Sequence, residues 1–150
     1  MHHKVVFVDD DRELLESLNL IFKNEPYQVV LCNSALDALD IMKSEEFSVV
    51  VSDLYMPGMK GDVFLQMVMN KFPNTIRIIM TADSWAVTDK KNIHNVISKP
   101  WRIYEMTSVV KRAITLYERN YDLYLVVQSS LVNKTKLSEK DETKTIYFCR

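Results

Sequence analysis

Three aspartates, Asp9, Asp10 and Asp11, follow an apolar run at residues 5–8, and Asp53 follows another at 49–51. Thr81 follows a third run at 76–80, and Lys99 comes just after a fourth at 96–97. Short unbroken apolar runs read as strands covered on both faces. In an open parallel sheet, side chains at the carboxyl ends of the strands converge on one crevice. Carboxylates, a hydroxyl and an ammonium gathered there suit the binding of a divalent cation and the handling of a phosphoryl group. Mg²⁺ is a hard cation that takes oxygen ligands and keeps several waters. Asp10 and Asp53 are placed to ligate it directly, with Asp9 acting through water. Carboxylates packed this closely repel one another without a cation. An aspartate also serves as a nucleophile, forming an aspartyl-phosphate. Transfer then depends on positioning and on neutralising the equatorial oxygens, to which Lys99 and Thr81 can contribute.

Taken singly, none of these residues says much. Asp10 or Asp11 reads as the cap of a first helix, and Lys99 as a surface lysine. Their joint occurrence, in order and each at a strand end, carries the signal.

The elements that must position them alternate strand and helix, the pattern of an α/β fold with a parallel sheet. Strands are expected at 5–8, 27–31, 47–51, 76–80 and 95–97. The first helix carries Leu14, Leu15, Leu18, Ile21 and Phe22 at helical spacing. Ser34 caps a second bearing Leu36, Leu39, Ile41 and Met42, and a third runs through Phe64, Leu65 and Val68. A fifth begins near Trp101. Gly58 and Gly61 are the chain's two glycines, both in the loop after Asp53, and Pro57-Gly58 marks a turn there.

The 150 residues, 47% hydrophobic and 26% charged, suit one globular domain with a modest appendage. Net charge is −1, spread as −3 over residues 1–118 and +2 over 119–150, so neither piece is a nucleic-acid or anionic-membrane surface. Cys32 and Cys149 are too few for a disulfide framework, and Cys32 reads as a small core hydrophobe. No apolar stretch reaches membrane-span length, so a cytoplasmic location is expected. His2 and His3 alone make a poor metal site.

From Met106 the apolar residues change rhythm. Met106, Val109, Ala113, Leu116, Asn120, Leu123 and Val127 fall at a/d heptad spacing, with Asn120 as a polar a-type residue. The first half, 106–116, reads as the sheet-facing side of the fifth helix. Beyond Leu116 a further partner is needed, with Tyr117, Tyr121, Tyr124 and Leu125 adding to that surface. A homodimer seam, a helix leading to another domain, or a tail folded back are the open readings. From Gln128 the chain turns polar and is expected to be loosely ordered.

Residues 4–118 resemble the receiver domain of two-component response regulators. The resemblance is carried by the run from Val5 to Asp10, Asp53-Leu54-Tyr55-Met56-Pro57-Gly58-Met59-Lys60-Gly61, Met80-Thr81-Ala82 and Lys99-Pro100-Trp101. It implies a flavodoxin-like doubly wound five-stranded parallel sheet of order 2-1-3-4-5, helices on both faces and an extended C-terminal helix. It implies that Asp53 accepts a phosphoryl group from a histidine kinase or phosphotransfer protein. Mg²⁺, or Mn²⁺ in its place, would be held by Asp10, Asp53 and the Tyr55 backbone carbonyl, with Asp9 assisting. Lys99 would contact the phosphoryl group and Thr81 would move toward it, switching the face of the fourth helix, fifth strand and fifth helix. The Lys99–Pro100 bond is cis in such domains.

Three departures stand out. Val96 occupies a position where the family often has an aromatic switch residue, with Trp85 or Trp101 as substitutes. The interval from Thr81 to Lys99 is about one helical turn short, so the fourth helix near 84–91 should be short or irregular. Tyr55 and Asp83, each two residues past a site residue, sit where the family tunes phosphoryl lifetime.

Such a domain is not an enzyme acting on a free substrate. One alternative is a receiver-like interaction module without phosphorylation. A second, a haloacid-dehalogenase-type phosphohydrolase using Asp9, Asp11, Thr81 and Lys99, leaves Asp53 unexplained and lacks a later acidic pair. Residues 119–150 are expected to be a helical extension and polar tail. They hold no DNA-reading module, so output passes to a docked protein or to a fused output domain. The Lys99-Pro100-Trp101 run, common in receivers fused to cyclic-dinucleotide phosphodiesterases, favours the second.

Overall fold

Strands and helices follow one another as β1 (Lys4–Val8), α1 (Arg12–Phe22), β2 (Gln28–Cys32), α2 (Ala35–Ser44), β3 (Val49–Asp53), α3 (Gly61–Lys71) and β4 (Ile76–Thr81). A 3-10 turn (Ser84–Ala86), β5 (Asn95–Ser98) and α4 (Ile103–Phe148) complete the order. The computed structural model describes the backbone of residues 2–88 and 90–148, and side chains up to Val132. Cys149 lies outside the described residues. The strands form one parallel sheet of order β2-β1-β3-β4-β5, the doubly wound arrangement expected.

β3 and β4 are buried at every position because helices cover both faces. Alternate residues feed two cores. Phe7, Val51 and Ile78 meet Leu18, Phe22 and Val110 from α1 and α4. Val6, Val50 and Ile79 meet Leu39, Phe64 and Val68 from α2 and α3. Asp11 caps α1, its Oδ1 accepting from the Leu14 N–H at 3.2 Å, and Ser34 caps α2 by accepting from Asp37 at 3.2 Å.

Several boundaries shift. β2 and β3 start later than the apolar runs suggest, and β3 extends through Ser52 and Asp53. Those two polar residues stay in the sheet because β1 and β4 supply partners, Val8 for Ser52 and Met80 for Asp53. Leu36 points out, 64% exposed, while Ala35 and Ala38 face the core. The fourth helix, expected near 84–91 to be short or irregular, is among the described residues the 3-10 turn Ser84–Ala86, in keeping with the short interval between β4 and β5.

The inward stripe of α4 is Met106, Val110, Ala113, Ile114 and Tyr117, while Leu116 is 38% exposed. Tyr117, expected on an outer surface, is therefore core, and its hydroxyl donates to Glu46. The stripe widens through Val110 and Ile114 beyond a strict a/d seam, which keeps this face on the sheet. The polar tail expected to be loosely ordered continues α4 to Phe148. No proline or glycine follows Pro100, so nothing in the chain's chemistry stops the helix.

The chain divides into two compact units, Met1–Tyr117 and Glu118–Arg150. Within the second, Leu123, Tyr124, Leu125, Val126 and Val127 are all exposed, and so are Leu131 and Val132. Among the described residues no helix is long and apolar enough to cross a membrane.

Tyr27 packs against Phe22, ring centroids 6.1 Å apart, yet its buried hydroxyl has no hydrogen-bond partner among the described residues. Burial pushes that hydroxyl's pKa up, with the charge of Glu25 adding to it. Tyr27→Phe removes an unpaid desolvation cost and is expected to raise stability by about 1 kcal/mol. A urea midpoint that falls instead would show that the hydroxyl is satisfied.

Candidate functional site

β1 and β3 are neighbours, so the chain leaving them carries Asp9 and Asp53 to the same end of the sheet. Asp9 is 1% exposed and Asp53 9%, while Asp10 faces solvent. Carboxylate oxygens of Asp9, Asp10 and Asp53 all lie within 4.8 Å of one another. The Asp9 backbone is tied to β2 by its N–H to Cys32 O, 3.1 Å, and its Oδ1 accepts from the Asp11 N–H at 2.9 Å.

Lys99 arrives from β5. Its N–H donates to the Thr81 carbonyl at 2.8 Å, and the Lys99–Pro100 bond is cis. Its ammonium donates to Asp9 Oδ2 at 2.9 Å and to Asp53 Oδ1 at 3.0 Å. Burial raises the Asp9 carboxyl above its ordinary range. The Asp11 amide and Lys99 oppose the rise and the Asp53 charge adds to it. Burial also works against the Lys99 charge, but hydrogen bonds to Asp9 and Asp53 and their negative charge outweigh it. The ammonium is held above its ordinary pKa and stays protonated.

Three carboxylates against one ammonium leave negative charge that a divalent cation can neutralise. The all-oxygen donor set is that of a hard cation such as Mg²⁺. The residues present fit such an ion.

Thr81 stands at the end of β4, 1% exposed, in register with Ser98. Its hydroxyl oxygen accepts from the Asp83 N–H at 3.1 Å, which leaves the hydroxyl proton to donate elsewhere. The structure thus brings Asp9, Asp10, Asp53 and Lys99 together and sets Thr81 beside them. Tyr55 heads the loop out of β3, 50% exposed. Of the expected aromatic substitutes, Trp85 is 93% exposed and Trp101 packs on the first core beside a cleft shared with Leu14 and Lys99. Val96 is half-buried in the second core.

Ser52 escaped sequence reasoning, and Gly61, which the sequence places in the loop after Asp53, has a further reason to be glycine. Ser52 donates its hydroxyl to the Asp53 carbonyl at 2.9 Å, and serine inside a strand carries no signal of that. Gly61 has no room for a side chain, since a Cβ would lie 2.0 Å from the Asp53 carbonyl oxygen. Its place beside an acidic strand end was the available hint.

Residues 5–111 match the response regulator receiver domain. The chain belongs to the response regulator receiver domain family. It is 32% identical over 120 residues to sporulation initiation phosphotransferase F of Bacillus subtilis, covering 77% of this chain and 97% of that one. It is 31% identical over 116 residues to response regulator protein FleR of Pseudomonas aeruginosa, covering 75% of this chain but 24% of FleR. The receiver thus spans about a quarter of that relative's length. Among solved structures, the BeF3-activated DrrB receiver domain is 25% identical with a TM-score of 0.69, covering 77% of this chain and 99% of that one. The receiver is a two-component signalling domain.

Proposed function

We propose that Asp53 is the phosphoacceptor of this receiver and that its phosphorylation is the signal the chain transmits. The observation that carries the reading is the Lys99 ammonium shared between the Asp9 and Asp53 carboxylates, 2.9 and 3.0 Å away. A free Asp53 oxygen would attack the phosphorus of a phosphohistidine on a histidine kinase or phosphotransfer protein. The P–N bond breaks, its electron pair returns to the imidazole, and an acyl phosphate remains on Asp53. Asp9, Asp10, Asp53 and the Tyr55 backbone carbonyl would hold Mg²⁺, and the same oxygens suit Mn²⁺. The ion supplies charge neutralisation to the phosphoryl oxygens when bound. Lys99 would meet one of those oxygens, drawn from its carboxylate partners toward the larger charge. Thr81 would move to donate its hydroxyl proton to another of those oxygens, biasing a two-state rearrangement of the adjacent loop, β5 and the start of α4.

Residues 4–118 act as the receiver and 119–150 as a helical extension with a polar tail. The output is a downstream protein or a fused output domain in the cytoplasm. The domain assists only its own phosphorylation and dephosphorylation.

Intact mass after incubation with acetyl phosphate and Mg²⁺ tests this. One phosphoryl adduct is expected, absent in EDTA and absent from Asp53→Asn. An adduct that persists in Asp53→Asn removes Asp53 from the role. No adduct with either acetyl phosphate or a purified phosphotransfer partner would leave a receiver-like interaction module.

A further inference from the structure

α4 loses its cover after Tyr117. Beyond that residue Leu123, Tyr124, Val126 and Val127 are all exposed, and Leu131 follows them. Apolar surface gathered on one element in this way marks an interface.

The spacing of these residues says what kind. Continuing the repeat that runs through Ala113 and Leu116, Asn120 and Val127 take a positions and Leu123 the d position between them. One unbroken helix carries all three. A β-branched residue at a with leucine at d favours two parallel strands, and a single asparagine at a fixes their register at a cost in stability. The flanking e and g positions hold Arg119, Tyr124, Val126 and Leu131. In a parallel pair each g residue meets the next e residue of the other helix. Arg119 then lies beside Tyr124 of the second copy, a cation against an aromatic ring, and Val126 beside Leu131. No like charges meet across such a seam. The exposed parts of these side chains come to roughly 1,000 Å² over two copies, the low end for a specific interface.

We propose that residues 119–131 of α4 pair with the same segment of a second copy, parallel and in register, making the chain a weak homodimer. A second copy is the occupant these residues fit, because in that arrangement every a and d position meets its own counterpart. The Asn120 amides hydrogen-bond to each other, and Leu123 and Val127 each pack against themselves. Leu125, though exposed, lies on the opposite side of the helix and stays outside the seam.

Sedimentation equilibrium of the full chain, over a concentration series spanning the micromolar range, tests this. The mass is expected to rise from one chain to two with a midpoint on the order of 10 μM. Leu123→Glu and Val127→Glu should each weaken association about tenfold or more, since glutamate keeps the helix but sets like charges against each other. Leu125→Glu, which removes similar apolar surface from the other side, should leave association unchanged. Asn120→Val should tighten it about tenfold. In a Cys149→Ser background, Leu123→Cys should form an interchain disulfide under mild oxidation and Leu125→Cys should not. Phosphoryl acceptance from acetyl phosphate, followed on the same samples, reports that each receiver is folded and does not depend on the outcome. A chain that stays monomeric throughout, an assembly of more than two copies, or a loss in Leu125→Glu equal to that in Leu123→Glu overturns the proposal. So does a Leu123→Cys chain that associates without cross-linking, because its helices then run antiparallel or out of register.

Discussion

Gly61→Ala is expected to cost about 3–5 kcal/mol, a large share of the stability of a domain this size. The added Cβ would meet backbone on every near side: the Asp53 carbonyl oxygen at 2.0 Å, its carbon at 2.9 Å and the Leu54 Cα at 3.0 Å. No rotamer change relieves a clash with main chain, so α3 or the end of β3 must move. Either movement disturbs the carboxylate of Asp53, and phosphoryl acceptance should fall along with stability. Gly58→Ala makes the control. Gly58 has φ +82° and open space around it, so an alanine there meets only the left-handed backbone penalty, about 1–2 kcal/mol. Urea unfolding of both variants, read with the acetyl phosphate reaction, checks the contrast. Equal losses would mean the contact with Asp53 is softer than the geometry says.

Arg77→Met should lose about 3 kcal/mol. Arg77 is 6% exposed near the start of β4. Its Nε donates to Asn92 O at 2.8 Å, and Nη1 to Thr75 O at 2.7 Å and Pro73 O at 3.1 Å. Among the described residues these carbonyls hold the charge, and burial lowers its pKa. The guanidinium joins the segment before β4 to the loop before β5, where only a 3-10 turn lies between those strands. The neighbouring strand-end contact depends on a neutral imidazole, because His94 Nδ1 accepts the Arg77 N–H at 3.0 Å. Burial, with the Arg77 charge, keeps the His94 pKa below its ordinary value. Methionine fills the volume but leaves three carbonyls unpaired. Arg77→Lys should recover only part of the loss, since one ammonium cannot reproduce the fork. Acceptance by Asp53 should persist wherever the variant remains folded, because Arg77 lies at the opposite end of β4 from Thr81.

The acidic cluster could be read from the chain because its residues are placed by apolar runs, and a strand end needs no knowledge of packing. Asp9, Asp53 and Lys99 follow directly from that, as do the caps at Asp11 and Ser34. Arg77 could not be read this way. An arginine within Ile76-Arg77-Ile78-Ile79 looks like an edge or solvent position, and only the loop carbonyls that receive it make burial tolerable. Tyr117 was misplaced because a/d spacing and a sheet-facing stripe share Met106 and Ala113 and part company only at Val110 and Ile114. The tail's polar composition described its solvent preference and not its backbone, which helix-forming residues without a breaker carry on to Phe148.

The sheet order has a consequence for the chain while it is being made. β1 is synthesised early yet lies between β2 and β3, so its second neighbour does not exist until residue 53 has been added. At ribosomal speeds that interval is on the order of seconds. During it Val5, Val6, Phe7 and Val8 form a naked apolar strand of the kind that pairs with other chains. Lys4 opens the strand and Asp9, Asp10 and Asp11 follow it, the flanking charges that keep such segments apart. The aspartates therefore act as gatekeepers of the nascent chain before any crevice exists for them to line.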